Sequence, residues 1–415
     1  MRSPSRALAW AAEVGFLALA AALPWSIAAM SIAAAWCAGL TLADQVASRR
    51  LRWARNPVDL PALAWLLALL LAAWFAQDRA ASLPRVGKGF LPALVGLTAL
   101  HAATRSRGER ALRILLGSAS LAALWGFGVW IEHGATFAQR ARGPAGHYMT
   151  FGGQLLLEVS LAAGIALCTR GRWRLAGVAS GLAGCLALAG TFTRSAWIGL
   201  VVSLATVLGL RRPRWLLGLA IVVLVVSVLA PPAYRTRLQS AFDPRHPTNV
   251  ERVYMWQAGL RMFADHPLTG VGLQDLHPLY DVYRSQAARE PAGHLHDVFV
   301  QIAATMGAAG LGAFLLLYAG LFRAAGAGLK ARPGADGLVA GVSLGVTGAL
   351  TGFLVAGLFE WNFGDEELLD LLYVLVGLAW AARSWEGPKA PADDDEPRPP
   401  DASASGAGFS PGFGR

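Results

Sequence analysis

The chain has 415 residues, of which 55% are hydrophobic and only 15% are charged, so it is too apolar for a soluble protein of this length. Its composition predicts a polytopic membrane protein. The net charge of +10 does not indicate a nucleic-acid partner, because the arginines form short clusters between apolar segments, as membrane topology signals do.

Apolar segments recur along most of the chain. A membrane-spanning helix needs about 20 predominantly apolar residues. By that measure the sequence predicts twelve spans, and the first two, separated only by Pro24, are interpreted as a broken or re-entrant pair. The predicted spans are 7–23, 25–44, 57–76, 89–104, 111–131, 151–169, 174–190, 195–210, 214–230, 296–322, 337–359 and 367–383. The expected fold is therefore an all-α polytopic membrane protein.

The loops between these segments alternate in charge. Because basic residues favour cytoplasmic loops, the alternation predicts cytoplasmic N- and C-termini. The predicted cytoplasmic loops contain Arg49, Arg50, Arg52 and Arg55; Arg105, Arg107 and Arg110; Arg170, Arg172 and Arg174; Arg211, Arg212 and Arg214; and Arg323, Lys330 and Arg332. The opposite side receives residues 77–88, 132–150, 191–194, 231–295 and 360–366, with the acidic cluster Glu360, Asp365, Glu366 and Glu367.

Four regions follow from this topology. Residues 1–230 are predicted to form spans one to nine, 231–295 an external and mainly helical loop, and 296–383 the last three spans. Residues 384–415 are rich in Pro, Ala, Asp, Ser and Gly. Such a composition cannot bury a core, so the tail is expected to be disordered in the cytoplasm.

The external loop contains one strong helix signal. Thr248 or Asn249 is predicted to cap a helix that runs to about Ala264, with Glu251 in its first turn. Apolar residues at helical spacing predict the face that packs on the membrane domain: Val253, Trp256, Leu260 and Phe263.

Three side chains near the external boundary are candidate functional groups. Arg194, in TFTRSAW, lies at the outer end of a predicted span, where a charge is costly and favours a functional interpretation. Arg252 lies in the loop helix, four residues before Trp256. His296 lies where the chain re-enters the membrane, and it is followed by Asp297, nine further residues and then Gly307-x-x-Gly310.

These residues together resemble the O-antigen ligase family of bacterial membrane glycosyltransferases, which includes O-antigen polymerases and protein O-oligosaccharyltransferases. The matching features are the His-polar-x9-Gly-x-x-Gly pattern from His296, the Arg of TFTRSAW, the Arg-x-x-x-Trp helix leading into HPLTGVG, and twelve spans with one large late loop. The resemblance covers most of residues 80–383. Asp297 departs from the amide that often follows the His in this family, and the resemblance implies a GT-C-like architecture.

The resemblance implies transfer of a glycan from undecaprenyl diphosphate to an acceptor hydroxyl on the periplasmic face of the bacterial inner membrane. Arg194 and Arg252 would bind the diphosphate, because a guanidinium can bind phosphate oxygens through two hydrogen bonds. His296 would take the proton from the attacking hydroxyl or orient that hydroxyl. The outer loops contain no DxD-like pair, so metal-independent transfer without a cofactor is expected.

Several neighbouring residues have open roles. Asp297 would orient the His296 ring or only cap the helix. His294 could compete as the base, and a His294-x-His296 metal pair lacks a convincing third ligand. Arg140 and Arg142 would support glycan or diphosphate binding, or belong to a structural turn. Arg85 and Lys88 are interpreted as contacts to lipid headgroups. The cysteines lie in apolar segments without CxxC spacing, which predicts neither a zinc site nor a disulfide framework.

The leading functional prediction is ligation of lipid-linked O-antigen to the core of lipid A. The nearest alternative is an O-antigen or exopolysaccharide polymerase, which would use the same donor. A secondary transporter or flippase is less favoured, because transporters place polar groups near the bilayer midplane, whereas the candidate groups here lie at one face.

Overall fold

The computed structural model describes residues 4–144, 146–329, 337–385 and 414, and every regular element in these residues is helical. Short 3-10 turns join several of the helices. The α-helices are α1 Pro4–Ala22, α2 Ile27–Ser48, α3 Asp59–Trp74, α4 Arg79–Ser82, α5 Ala93–His101, α6 Arg105–Glu132, α7 Tyr148–Cys168, α8 Gly171–Thr191, α9 Arg194–Arg211, α10 Leu216–Leu229, α11 Pro232–Phe242, α12 Pro247–Asp265, α13 His277–Tyr283, α14 Val298–Ala325, α15 Gly337–Ala356 and α16 Glu366–Ala382.

The described helices support a polytopic membrane protein. Seven of them are long and apolar enough to cross a bilayer. The count rises to eight if residues 213–265, which bend by 116° between α10 and α11, are taken as one broken span. The total of twelve spans stays a prediction. Of the predicted disordered tail, the structure describes residues 384, 385 and 414, and Trp385 is buried against the bundle, so the tail does not begin at 384. Lys330 and Arg332 lie outside the described residues.

The first two helices do not form one broken span, and the re-entrant alternative stays a prediction. α1 and α2 pack against each other along their length, and a Cβ added at Gly15 would lie 3.2 Å from the Cα of Cys37. The glycine therefore permits the close approach of two separate helices. Pro24 falls in the turn between them, where its missing N–H group disrupts neither helix.

The loops collect at two opposite ends of the helix bundle. At one end, Thr193 donates to the carbonyl of Tyr148, and Thr150 donates to Asp365. At the other end, the Trp385 indole donates to the carbonyl of Ala102, which joins the end of α16 to the end of α5. We call the first of these the polar end, since it carries the external loops predicted from the charge pattern.

α14 is broken at Gly307, and a loop from outside the bundle fills the break. Gly307 has φ +63°, a left-handed value that interrupts the helical hydrogen bonds. The N–H groups of Val271 and Gly272 donate to the freed carbonyls of Ala304 and Thr305 at 2.9 and 3.0 Å, and the N–H of Ala308 donates to Pro267 at 2.8 Å. The HPLTGVG segment thus satisfies backbone groups that a bilayer could not.

The helix predicted in the external loop exists, but its buried face was wrongly predicted. α12 begins at Pro247, earlier than expected, and neither Thr248 nor Asn249 caps it. Its buried face consists of Glu251, Met255, Ala258, Gly259 and Met262. Val253 and Leu260 from the predicted stripe are 42% and 55% exposed. The small residues on this face allow α12 to approach α14 closely. A prediction from the spacing of large apolar residues overlooks such small residues.

Replacing Gly307 with Ala should destabilise the protein. An added Cβ would lie 2.4 Å from the Leu268 carbonyl carbon, and the left-handed backbone alone costs about 1–2 kcal/mol for a residue with a Cβ. The thermal midpoint of the full chain in detergent, followed by tryptophan fluorescence, should fall. Gly312→Ala is the matched control, because an added Cβ there meets nothing within 4 Å. Equal midpoints for the two variants would contradict the proposed role of the break.

Candidate functional site

A buried carboxylate lies at the centre of the polar end. Glu360 follows α15, and its side chain is only 13% exposed. Its Oε1 lies 3.1 Å from the Nδ1 of His296 and 3.4 Å from the Nε2 of His294. Its Oε2 lies 3.8 Å from the guanidinium of Arg252. Glu360 therefore joins three basic side chains from two other parts of the chain.

The surroundings keep Glu360 ionised. Burial by itself would raise the pKa of its carboxyl, but hydrogen bonds from His294 and His296 outweigh burial and hold that pKa below its usual value. Nearby Asp365 behaves differently: burial and the charge of Glu367 raise its pKa to about 6. An ionised carboxylate can only accept hydrogen bonds, so it assigns a proton to the Nδ1 of His296 and leaves Nε2 as an acceptor.

The local backbone directs the His296 ring toward Glu360. His296 has φ 50°, a left-handed value that is uncommon for residues other than glycine. The next residue, Asp297, begins α14 as its N-cap and accepts a hydrogen bond from the N–H of Val300 at 2.9 Å. Among the contacts of the described residues, Asp297 has none with the His296 ring. Of its two predicted roles, capping is the one that this geometry supports.

Arg194 is buried at the start of α9, and the external loop positions it. It donates to the carbonyl and the hydroxyl of Ser240 at 2.6 and 3.2 Å, and to the amide oxygen of Asn249 at 3.1 Å. Asn249 in turn donates to the carbonyls of Ser240 and Asp243 at 2.8 Å. A guanidinium has five N–H groups, so Arg194 retains donors beyond those used in these contacts.

Arg194, Arg252 and His296 line one cavity of about 240 Å³, which also exposes Arg140 and Arg237. Arg140 lies over the rings of Phe137 and Tyr148, at 4.1 and 4.4 Å from their centroids. Arg142 is not among the lining residues of this cavity. Glu251 and Glu290 also line the cavity. The four guanidinium groups outnumber these two carboxylates, so the excess positive charge favours an anionic ligand. We call this space the cationic cavity.

A second space adjoins the cationic cavity and is largely apolar. It has a volume of about 320 Å³, and its apolar walls include Ile198, Phe242, Val253, Trp256 and Phe359. Arg194 and Arg252 line both spaces. We call the second space the apolar groove.

A third cavity borders the group formed by His294, His296 and Glu360, which we call the Glu360 cluster. It has a volume of about 360 Å³ and exposes His294, whereas the cationic cavity exposes His296. Its lining includes three aromatic and two basic side chains, together with the carboxylate of Asp275: Trp65, Trp361, Phe363, Arg85 and Lys88. Arg85 donates to the carbonyl of Leu273, and Lys88 to that of Gly364. We call it the aromatic cavity.

The structure corrects the expectation that the two histidines have no third metal ligand. One donor atom each from His294, His296 and Glu360 lies within 4.8 Å of the others. Two imidazoles and one carboxylate form a donor set that divalent transition metals accept. The sequence could not supply this third donor, because Glu360 lies 64 residues after His296.

The structure brings together five of the predicted site residues around Glu360 and the cationic cavity, namely Arg140, Arg194, Arg252, His294 and His296. Sequence reasoning missed Glu360 as a site residue. The one available signal was its position in the external acidic cluster, where three other carboxyl groups offered the same signal.

A comparison with known families supports the resemblance found in the sequence. Residues 178–315, about a third of the chain, match the family model described as O-antigen ligase. The match includes Arg194, Arg252 and the segment from His294 to Gly310, and it ends before Glu360. Over these residues the chain is therefore similar to O-antigen ligases. No curated protein matches the chain.

The cationic cavity should bind a soluble diphosphate. Inorganic pyrophosphate should bind the full chain in detergent, and Arg194→Gln or Arg252→Gln should weaken binding at least about tenfold, since a hydrogen bond to a charged group contributes about 1.5–3 kcal/mol. Isothermal titration calorimetry at fixed salt would measure the dissociation constants. Arg245→Gln is the control, because Arg245 is an exposed loop residue outside this cavity. Equal weakening by the control would reject a specific site.

Proposed function

We propose that this protein is a glycosyltransferase that passes a polysaccharide from undecaprenyl diphosphate to an acceptor hydroxyl at the periplasmic face of the inner membrane, and that it ligates O-antigen to the core of lipid A. One observation carries this proposal. Arg194 and Arg252 line the cationic cavity and the apolar groove together. A ligand that is anionic at one end and hydrocarbon at the other fits both spaces at once, as a lipid diphosphate does.

Each part of the donor then has a place. The diphosphate lies between Arg194 and Arg252, the lipid chain leaves along the apolar groove, and the first sugar faces His296. Guanidinium groups bind phosphate oxygens with fixed geometry and keep their charge at any physiological pH. They stabilise the negative charge that develops on the leaving diphosphate, so the transfer needs no divalent cation.

The acceptor approaches from the aromatic cavity. Aromatic rings there can stack on sugar faces, and Arg85 and Lys88 suit an acceptor that carries acidic or phosphate groups. His294 lines this cavity and contacts Glu360, so an acceptor bound there extends its hydroxyl past His294 to His296, which lines the cationic cavity. This approach suits displacement at the anomeric carbon.

His296 acts as the base. Its Nδ1 proton is held by Glu360, so the Nε2 lone pair is available to the acceptor hydroxyl. The hydroxyl oxygen forms a bond to the anomeric carbon, the bond from that carbon to the diphosphate oxygen breaks, and the hydroxyl proton moves to Nε2. The diphosphate leaves on its lipid, and the imidazolium that forms is stabilised by the Glu360 carboxylate, as in other carboxylate–histidine pairs.

The product of the purified full chain tests the proposal. Lipid-diphosphate-linked glycan should be joined to a lipid A core acceptor, and gel analysis of the glycolipid would detect the product. Elongation of the donor glycan in place of transfer to that acceptor would identify a polymerase. Movement of intact lipid-linked glycan across a vesicle membrane without a new glycosidic bond would reject the transferase.

His296→Ala should lower the transfer rate by at least about 100-fold, the lower limit for loss of a positioned acid or base. The comparison with His294→Ala tests which histidine is the base, since both contact Glu360, and the smaller loss is expected for His294. His133→Ala is the control, because His133 is exposed and contacts only its own helix. A larger loss in His294→Ala would transfer the base role to His294.

Arg85→Gln should raise the KM for an acidic acceptor severalfold and leave pyrophosphate binding unchanged, because Arg85 lines the aromatic cavity and not the cationic one. Steady-state rates at varied acceptor concentration would separate KM from kcat. Arg79→Gln is the matched control: it is exposed in the same segment, and it stacks on Trp74 at 5.2 Å outside this cavity. An unchanged KM in Arg85→Gln would place the acceptor elsewhere.

A further inference from the structure

The cluster of His294, His296 and Glu360 has a geometry that the proposed transfer does not require. Base catalysis by His296 needs one carboxylate partner, yet Glu360 contacts a second imidazole as well. The Nε2 of His294 contacts Glu360. The His294 side chain is 41% exposed, and it lines the aromatic cavity. The cluster therefore has one more potential metal-ligand atom than a histidine–carboxylate pair has. An ion can reach it through the aromatic cavity.

The spacing of the donor atoms matches a metal coordination sphere. Zinc–nitrogen and zinc–oxygen bonds of about 2.0–2.2 Å in a tetrahedron place neighbouring donor atoms about 3.3–3.6 Å apart. The Oε1 of Glu360 lies 3.1 Å from the Nδ1 of His296 and 3.4 Å from the Nε2 of His294. No pair of the three donor atoms is farther apart than 4.8 Å, so small side-chain rotations suffice to bring them around one ion.

We propose that His294, His296 and Glu360 bind a divalent transition-metal ion such as Zn²⁺, and that the bound ion switches off glycan transfer. The three side chains provide three ligands, and water from the aromatic cavity completes the sphere. The donor set selects for imidazole-binding ions over Mg²⁺ and Ca²⁺, which prefer spheres made mainly of oxygen. The binding half of this inference is independent of the proposed function, and the inhibitory half rests on it.

The chemistry of the imidazole ring explains the inhibition. A neutral imidazole carries one proton on its two nitrogens. In the active arrangement that proton is on Nδ1, bonded to Glu360, and Nε2 is the base. A metal ion at Nδ1 takes that lone pair, so the ring proton must be on Nε2. The nitrogen that should accept the hydroxyl proton is then already protonated, and the ion also occupies the carboxylate that would stabilise the imidazolium.

Arg252 opposes the ion without excluding it. Its guanidinium lies 3.8 Å from the Oε2 of Glu360, farther than either histidine nitrogen lies from this carboxylate, at 3.1 Å for His296 and 3.4 Å for His294. A like charge at that distance weakens binding of a dication. The ion should therefore be removable by a chelator, and chelation should preserve or raise the transfer rate of the purified protein.

Metal binding can be measured without any glycan. The full chain, purified with a chelator and then exchanged into metal-free buffer, would be titrated with Co²⁺ by visible absorption and then competed with Zn²⁺. One ion per chain is expected. His294→Gln and Glu360→Gln should each weaken binding at least about tenfold, since loss of even an outer-shell partner commonly costs that much.

His277→Gln is the matched control. His277 also has a carboxylate partner, the Oδ1 of Asp275 at 2.9 Å, but it is exposed and belongs to no three-ligand group among the described residues. The His277→Gln variant should bind Co²⁺ and Zn²⁺ as tightly as the unmodified chain does. Full-strength binding in both His294→Gln and Glu360→Gln, or an equal loss in His277→Gln, would overturn the site.

The inhibitory half has its own test. Zn²⁺ should lower the transfer rate of the unmodified chain in step with the binding measured by Co²⁺ competition, and EDTA should restore it. For His294→Gln, the Zn²⁺ concentration that halves its own metal-free rate should rise at least about tenfold. A chain that binds the ion and keeps its full rate at saturation would overturn the inhibition and leave the binding site in place. A chain inactive in every condition would instead contradict the proposed function.

Discussion

The break in α14 determines how the external loop sits on the bundle. A helix interrupted within a membrane protein must have its free carbonyl and N–H groups satisfied by protein, because lipid offers no hydrogen bonds. Residues 267–272 satisfy those of α14, and they can do so only because Gly307 and Gly270 both have left-handed backbones. α12 ends immediately before this segment. The docking therefore holds Arg252 of α12 near His296, which precedes α14, and both side chains contact Glu360.

Charge balance at the polar end follows from that placement. The region gathers four guanidinium groups and two imidazoles, and its carboxylates are Glu251, Glu290 and Glu360. Three carboxylates do not neutralise the four guanidinium groups, so the cavity on the side of Arg194 retains a positive potential. The Glu360 carboxylate orients the His296 ring through Nδ1. One side chain thus leaves the arginines available for an anion and prepares the neighbouring histidine to accept a proton.

The Glu360 cluster also illustrates why one arrangement can serve two chemistries. A proton bridging carboxylate and imidazole occupies the position where a metal ion would lie, with similar distances between the heavy atoms. Which of the two is present decides the tautomer of His296. The second histidine, two residues before the first, makes the alternative available in this chain.

Sequence patterns predicted the all-helical class, the presence of a helix around Trp256, and the grouping of Arg194, Arg252 and His296 near one boundary. These predictions succeeded for two reasons. An apolar segment of about 20 residues is typical of a membrane-spanning helix, and a charged residue within or beside such a segment is costly and favours a functional interpretation. The buried face of α12 was wrongly predicted, since contacts through Ala258 and Gly259 leave little trace in hydrophobic periodicity. The sequence showed Gly307 only as part of the Gly-x-x-Gly pattern, whereas in the structure it bends α14 and receives a loop.

The sequence by itself determined that the chain is a helical membrane protein with basic and imidazole groups at one boundary, because composition and local spacing reflect the bilayer and the chemistry of single residues. Only the tertiary structure decided which of four acidic residues near position 360 contacts the histidines, and that the two arginines line a polar and an apolar space at once. These contacts join residues far apart in the chain, and the packing of helices, not the local pattern, sets their distances.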